Sequence, residues 1–267
     1  MFETQSIFDT LLLIPILNLL IGIYKALLFL HLPGAFGFSL ILLTIVIRIL
    51  LNPLMATQLK NTHKLAKLKP ELDRLSREHK DDKKRLSQEQ LRLYQEAGVN
   101  PAAGCLPLLL QMPILLGLYN LFFKLLNGAD ISSVVDGINR VVYAPFLTIQ
   151  SLDLSFFGVN LAQKPSDWQT AGIFLLTIPL LTALLQYWQT KTMTPTVSPP
   201  MEGKSLEKTG EKKEEDMSTT MQKQMSIMMP LMIGFFAYTF PIGLSLYWNT
   251  FTVFGIIQQR QIANKLK

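Results

Sequence analysis

GFSLILLTIVIRILLNPLM, residues 37–55, is the most apolar stretch of the chain, and it contains one charge, Arg48. Its length is close to the roughly 20 apolar residues that a helix needs to cross a bilayer. A guanidinium held at that depth costs a few kcal/mol on insertion scales and is normally directed at protein or water rather than lipid. Thr44, Arg48 and Asn52 follow at i, i+4 and i+8, so a continuous helix places them on one face. Such a polar stripe implies a hydrated cavity open to one side. The competing reading is that Arg48 snorkels to the cytoplasmic face, with Asn52 and Pro53 marking the boundary.

The surrounding composition fits a membrane protein. Of the 267 residues, 49% are hydrophobic and 16% charged, with a mean hydropathy of +0.29. Soluble domains carry about 25% charged residues. The chain is read as an all-α, polytopic membrane protein with five core spans at 37–57, 101–126, 169–190, 221–240 and 243–259. The last two are separated only by Pro241 and Ile242, which predicts a tight helical hairpin. Before the first span, residues 1–36 include an apolar run with Asn18, Gly22 and Lys25 along one narrow face. That pattern suits a helix lying in the interface plane; its length also allows a span.

Lys and Arg in the short loops set the orientation. Residues 58–98 carry eleven, residues 191–224 carry six, and the tail 260–267 carries three, whereas 127–168 carries only Arg140 and Lys164. The charged loops and the C-terminus are therefore expected in the cytoplasm, and 127–168 outside. Within 58–100, Leu65, Leu68, Leu72 and Leu75 recur at spacings of 3, 4 and 3, the seam of a helix that packs on a partner. KDDKK (80–84) interrupts them and a second helical run follows, which predicts a cytoplasmic helical hairpin. Residues 191–220 are rich in Pro, Lys and Glu without an apolar face and are expected to be disordered.

Hydrocarbon offers no hydrogen bonds, so polar side chains inside the spans gather around each other or around water. Besides Thr44, Arg48 and Asn52 they include Gln111, Gln186, Tyr247, Trp248 and Asn249. No Asp or Glu lies in the five spans, so Arg48 has no carboxylate of its own protein at depth. Met221, Met225, Met228 and Met232 form a helical stripe, which reads as core packing. Cys105 is the one cysteine and reads as an inert apolar residue. No phosphate loop, nucleophile–base arrangement or metal-ligand spacing occurs, so neither an enzyme nor a bound cofactor or metal is expected.

LILLTIVIRILLNPL, YQEAGVNPAAGCLPLLLQMPILLGLY and PIGLSLYWNTF, in this order, resemble the YidC/Oxa1/Alb3 membrane protein insertases, in their short bacterial form. The resemblance covers nearly the whole chain. It implies a multi-pass protein of the bacterial plasma membrane, with an interfacial N-terminal helix and a hydrophilic groove open to the cytoplasm and closed outside. It implies Arg48 as the groove arginine, Thr44 as the polar residue one turn before it, and Gln186, Trp248 and Tyr247 as the members facing it. The implied activity is insertion and folding of nascent membrane proteins without nucleotide hydrolysis, alone or with the Sec translocon. The implied partners are nascent chains, the ribosome, the signal recognition particle receptor, the Sec translocon and membrane lipids, with no sequence-specific nucleic acid. The departures from the family pattern are the absence of a lipoprotein signal and the short basic tail. The rival readings are an anion transporter or channel with Arg48 as its binding charge, against which no internal repeat is found, and an assembly factor.

Overall fold

The computed structural model describes residues 9–80, 82–100, 106–126, 131–193 and 217–265. The chain is mostly helical. A π-helical turn, Asp9–Leu13, leads into α1 (Ile14–Phe29), whose apolar side is buried against α2 (Ala35–Leu50). The polar face of α1 meets a later segment of the chain. Asn18 Nδ2 donates to Val141 O (3.1 Å) and Asn18 Oδ1 accepts from Tyr143 N (2.7 Å). Lys25 Nζ donates to Phe146 O (2.6 Å) and Thr148 O (2.7 Å), and the Tyr24 hydroxyl accepts from Asp153 N (3.1 Å). The face thus binds backbone of the 141–153 segment.

The span expected at 37–57 is broken. α2 ends at Leu50 and α3 (Asn52–Glu78) begins almost at once, with 62° between them. Pro53 explains the break: it has no N–H to donate, and its ring crowds the carbonyl four residues earlier. Thr44, Arg48 and Asn52 therefore do not share one continuous helix face. α3 includes the whole first arm of the expected hairpin, and α4 (Lys83–Glu96) the second. Asp82 caps α4 by accepting from Arg85 N (3.0 Å). The return is fixed at the base, where Asn61 Nδ2 donates to Asn100 O (2.7 Å).

α5 (Leu106–Leu126) follows; Cys105 lies outside the described residues. The 127–168 loop is largely structured from residue 131 onward. α6 (Ile131–Asn139) and a two-stranded antiparallel ribbon, β1 (Ser155–Phe156) with β2 (Val159–Asn160), make it a lid with its own buried side chains. This ribbon is the one departure from an all-α fold among the described residues.

The span expected at 169–190 starts as a short α7 (Trp168–Ala171), breaks at Gly172 (φ +112°), and resumes through a 3-10 turn into α8 (Thr177–Met193). A positive φ of this size is cheap only without a Cβ. α8 runs beyond the expected start of disorder at 191, and residues 194–216 lie outside the described residues. α9 (Met217–Thr239) and α10 (Ile242–Lys265) complete the fold. α10 continues through most of the expected tail. The first amides of α10 are satisfied from the lid: Ile242 N donates to Gln163 O and Gly243 N to Leu161 O, both at 2.8 Å. α9 packs chiefly on α8, whereas α10 packs on α2 and α8. The connection between α9 and α10 is short as expected, but the two helices diverge instead of forming a tight pair.

By length and composition, Ile173–Thr192 is the one unbroken segment among the described residues that is long and apolar enough to cross a bilayer. The bent α2–α3 pair passes the same test when taken together. The buried centre of the bundle is a chain of edge-on rings, Tyr24 to Phe36 (5.9 Å) and Phe36 to Phe122 (6.1 Å), joining α1, α2 and α5.

Candidate functional site

Arg48 is 5% exposed. It does not snorkel, because its guanidinium turns inward to α10. Nη2 donates to Phe251 O (2.7 Å), Nη1 to Gln258 Oε1 (3.4 Å), and the guanidinium lies over the Phe251 ring, 3.5 Å from its centroid. Every partner is neutral: a carbonyl, an amide and a ring face. Nε has no hydrogen-bond partner among the described residues. The positive charge is stabilised by dipoles and a quadrupole without being cancelled.

The seat depends on Gly255. A Cβ there would stand 2.5 Å from Arg48 Nη2 and 2.8 Å from Gln189 Nε2, so the bare backbone lets the guanidinium lie against α10. Gln258 joins the two sides of the α2–α3 break. Its Nε2 donates to Arg48 O (3.2 Å) and to Asn52 Oδ1 (2.8 Å). Asn52 is thus brought to the site through Gln258 and not through a shared face with Arg48.

The other expected residues divide. Thr44 is fully buried and donates to Leu40 O (2.6 Å) of its own helix, which satisfies its hydroxyl locally. Gln186 Oε1 accepts from Trp248 Nε1 (3.1 Å), so these two form a pair of their own across α8 and α10. Tyr247 is buried one turn before Phe251 and tilts against its ring at 6.2 Å. Gln111 is on α5, and its side chain lies outside the described residues.

A cavity of about 350 Å³ opens among α5, α8, α9 and α10, lined by Met112, Tyr119, Thr182, Phe236, Ser245 and Trp248 among others. Its wall is apolar apart from a few groups such as Thr182 and Ser245, and Arg48 is outside the lining. The apolar cavity and the protein-lined seat of Arg48 are thus two adjoining features. Both lie on one stripe of α10, since Leu244, Trp248, Phe251, Gly255 and Gln258 recur at spacings of 4, 3, 4 and 3. Beside that stripe runs a second one, and its Ser245 Oγ, Asn249 Oδ1, Thr252 Oγ1 and Gln259 Nε2 are buried without hydrogen-bond partners among the described residues. Buried polar atoms are nearly always partnered in native proteins, so four orphans along one helix are unusual. Met232 lines the cavity and, with Met228, is about half exposed, so these two do not form the core expected of the methionine stripe.

Phe251, Gly255 and Gln258 were not among the residues singled out from the sequence. The heptad spacing could have found them. Gln258, however, sits in QQRQ at the end of an apolar run, which reads as an ordinary interfacial boundary.

Comparison with known proteins supports a family assignment. The sequence profile of the 60Kd inner membrane protein family matches residues 28–267. The chain is 31% identical over 231 residues to the inner membrane ALBINO3-like protein 1, chloroplastic, of Chlamydomonas reinhardtii, covering 84% of this chain and 43% of that protein. It is 29% identical over 240 residues to the membrane protein insertase YidC of Streptomyces avermitilis (85% and 51%). It is 31% identical over 229 residues to the YidC of Rickettsia felis (86% and 35%). The chain thus spans between about a third and a half of the length of these relatives. A crystal structure of active YidC insertase with its first transmembrane domain resolved aligns with 98% of this chain and 47% of that one, at 24% identity and a TM-score of 0.48. The chain belongs to the 60Kd inner membrane protein family, the family of YidC, Oxa1 and Alb3.

Proposed function

We propose that this chain inserts nascent membrane proteins into the bilayer, as the names of its YidC relatives say of them. In this reading the chain crosses a bacterial plasma membrane five times, using α2, α5, α8, α9 and α10. α1 lies in the outer interface, the α3–α4 hairpin and the tail face the cytoplasm, and the lid covers the outside. The excess of Lys and Arg in 58–98, 191–224 and the tail supports that orientation.

The observation that carries the reading is the arrangement on α10: an uncancelled buried cation at one end of a stripe and an apolar cavity at the other. Trp248 and Gly255 are seven residues apart, about 10 Å along the axis at 1.5 Å per residue. An apolar segment entering between α5 and α9 meets the cavity while its short acidic tail reaches Arg48. A carboxylate offers the guanidinium charge-assisted, bidentate bonds that Phe251 O and Gln258 Oε1 do not. The unpartnered Ser245, Asn249, Thr252 and Gln259 atoms offer hydrogen bonds to the passing polar backbone or to water, which lowers its desolvation cost. Transfer of the apolar segment into lipid, at about 0.8 kcal/mol per buried CH₂, drives the step without nucleotide hydrolysis. The hairpin receives the nascent chain, with the ribosome, the signal recognition particle receptor and the Sec translocon as partners.

The test is crosslinking from photoreactive side chains at Met232 and Trp248 to a ribosome-bound membrane protein of increasing length. The expected result is crosslinks to its apolar segment from both sites, with none from a probe at Phe157 on the outer ribbon. Equal labelling from all three positions would remove the proposed entry route.

A further inference from the structure

Gln258 does more than line the arginine seat. It is 6% exposed, and its single amide group touches both helices of the α2–α3 break. Its oxygen accepts from Arg48 Nη1 (3.4 Å), and its nitrogen is shared between Arg48 O, at the end of α2, and Asn52 Oδ1, at the start of α3. The α2–α3 junction is otherwise a proline break at which one residue, Leu51, separates the helices. A proline at such a junction sets the bend between two helices, and Gln258 spans that bend with one amide. α3 packs on α4, α10 and α2, and Asn61 bonds Asn100 at the hairpin base.

Resting on the insertase reading above, we propose that Gln258 is a positioning residue that couples the occupancy of Arg48 to the direction of the cytoplasmic helix α3. While Arg48 rests in its seat, Gln258 is held from its oxygen side and its nitrogen fixes Asn52. When a carboxylate draws the guanidinium away, the amide loses that partner and turns, and Asn52 is released with α3. Because linkage is reciprocal, a partner that pulls α3 from its resting direction also frees Arg48 for a substrate tail. The arriving complex that engages the hairpin and the tail that enters the membrane thus act on one side chain.

Two spin labels measure this directly in the full chain in nanodiscs. One replaces Arg74 on α3, a side chain 66% exposed. The other replaces Lys191 on α8, with Cys105, the one native cysteine, changed to Ser. The resting protein is expected to give a narrow distance distribution. A synthetic apolar helix with two Asp at its leading end should broaden or shift it, while the same helix with two Asn should not. Gln258→Leu should give the shifted distribution without any peptide and no response to the Asp helix. Gln258→Glu keeps an acceptor for Arg48 but loses both donated bonds, so it should also release α3 and serves if the Leu variant does not fold. A resting distribution unchanged in both variants would overturn the coupling, as would a wild-type response blind to tail charge. The resting-state comparison requires no substrate. Its failure is therefore separable from failure of the insertase reading, which the cavity crosslinks decide.

Discussion

At the residue scale, the chemistry concentrates on a cation that has dipoles for company and no counter-ion among the described residues. A carboxylate neighbour would have made Arg48 cheaper to bury and useless for attracting another carboxylate. Gly255 matters because it leaves room. Gly255→Ala places a methyl group where Nη2 lies, so the guanidinium must leave Phe251 O. We expect roughly tenfold slower insertion of acid-tailed substrates, measured in proteoliposomes, with neutral-tailed substrates little changed. Asp153, on the lid, gives a pH prediction. The Ser155 hydroxyl and amide both donate to its carboxylate (2.6 and 2.9 Å) and hold its pKa below the ordinary range. A carboxyl with a depressed folded-state pKa contributes stability above its unfolded pKa and loses it as pH falls through the folded value. The melting-temperature difference between wild type and Asp153→Asn should therefore be present at neutral pH and vanish below the normal carboxylate range. An unchanged difference in acid would contradict the assignment.

At the element scale, α1 shows how side chains on one element determine the position of another. Asn18→Ala removes the partner of Tyr143 N and Val141 O, and losing hydrogen bonds at a part-buried site costs about 1–3 kcal/mol. A lower melting temperature and faster proteolysis within 140–148 are the expected results; unchanged cleavage would contradict the tether. The spacing of Asn18, Gly22 and Lys25 was legible in the sequence, but their partners were not. Asn18 and Lys25 bind backbone carbonyls and an amide, which every residue carries and no pattern marks. Pro53 was equally visible as a boundary, yet whether it ended a span or bent two helices depended on what held Asn52 afterwards. Gly172, between α7 and the turn that leads into α8, interrupted the expected 169–190 span in the same way.

At the scale of the whole molecule, hydropathy and the loop charges located the helices, while the relation between them came from packing. The apolar cavity exists because α9 follows α8 and diverges from α10, although the two-residue connection between α9 and α10 suggested a close pair. The seat exists because α10 packs on α2 along a heptad stripe whose members, taken singly, look like ordinary span residues. Arg48 stood out because it is a lone charge in apolar sequence; Phe251 and Gln258 matter only through it. Filling the cavity tests the division of labour. Ala237→Trp should slow insertion of acid-tailed and neutral-tailed substrates alike, by several-fold, because it obstructs the apolar segment and not the tail. A loss confined to acid-tailed substrates would contradict the separation of the two features.

The most direct measurement compares the insertion of two otherwise identical membrane proteins, one with two Asp and one with two Asn in its short tail, by wild type, Arg48→Lys and Arg48→Ala at equal protein levels in proteoliposomes. A cation that draws acidic tails predicts that wild type favours the Asp tail relative to the Ala variant, that Lys keeps part of that preference, and that Ala loses it while still inserting the Asn tail. Equal insertion of both tails by all three proteins would contradict it.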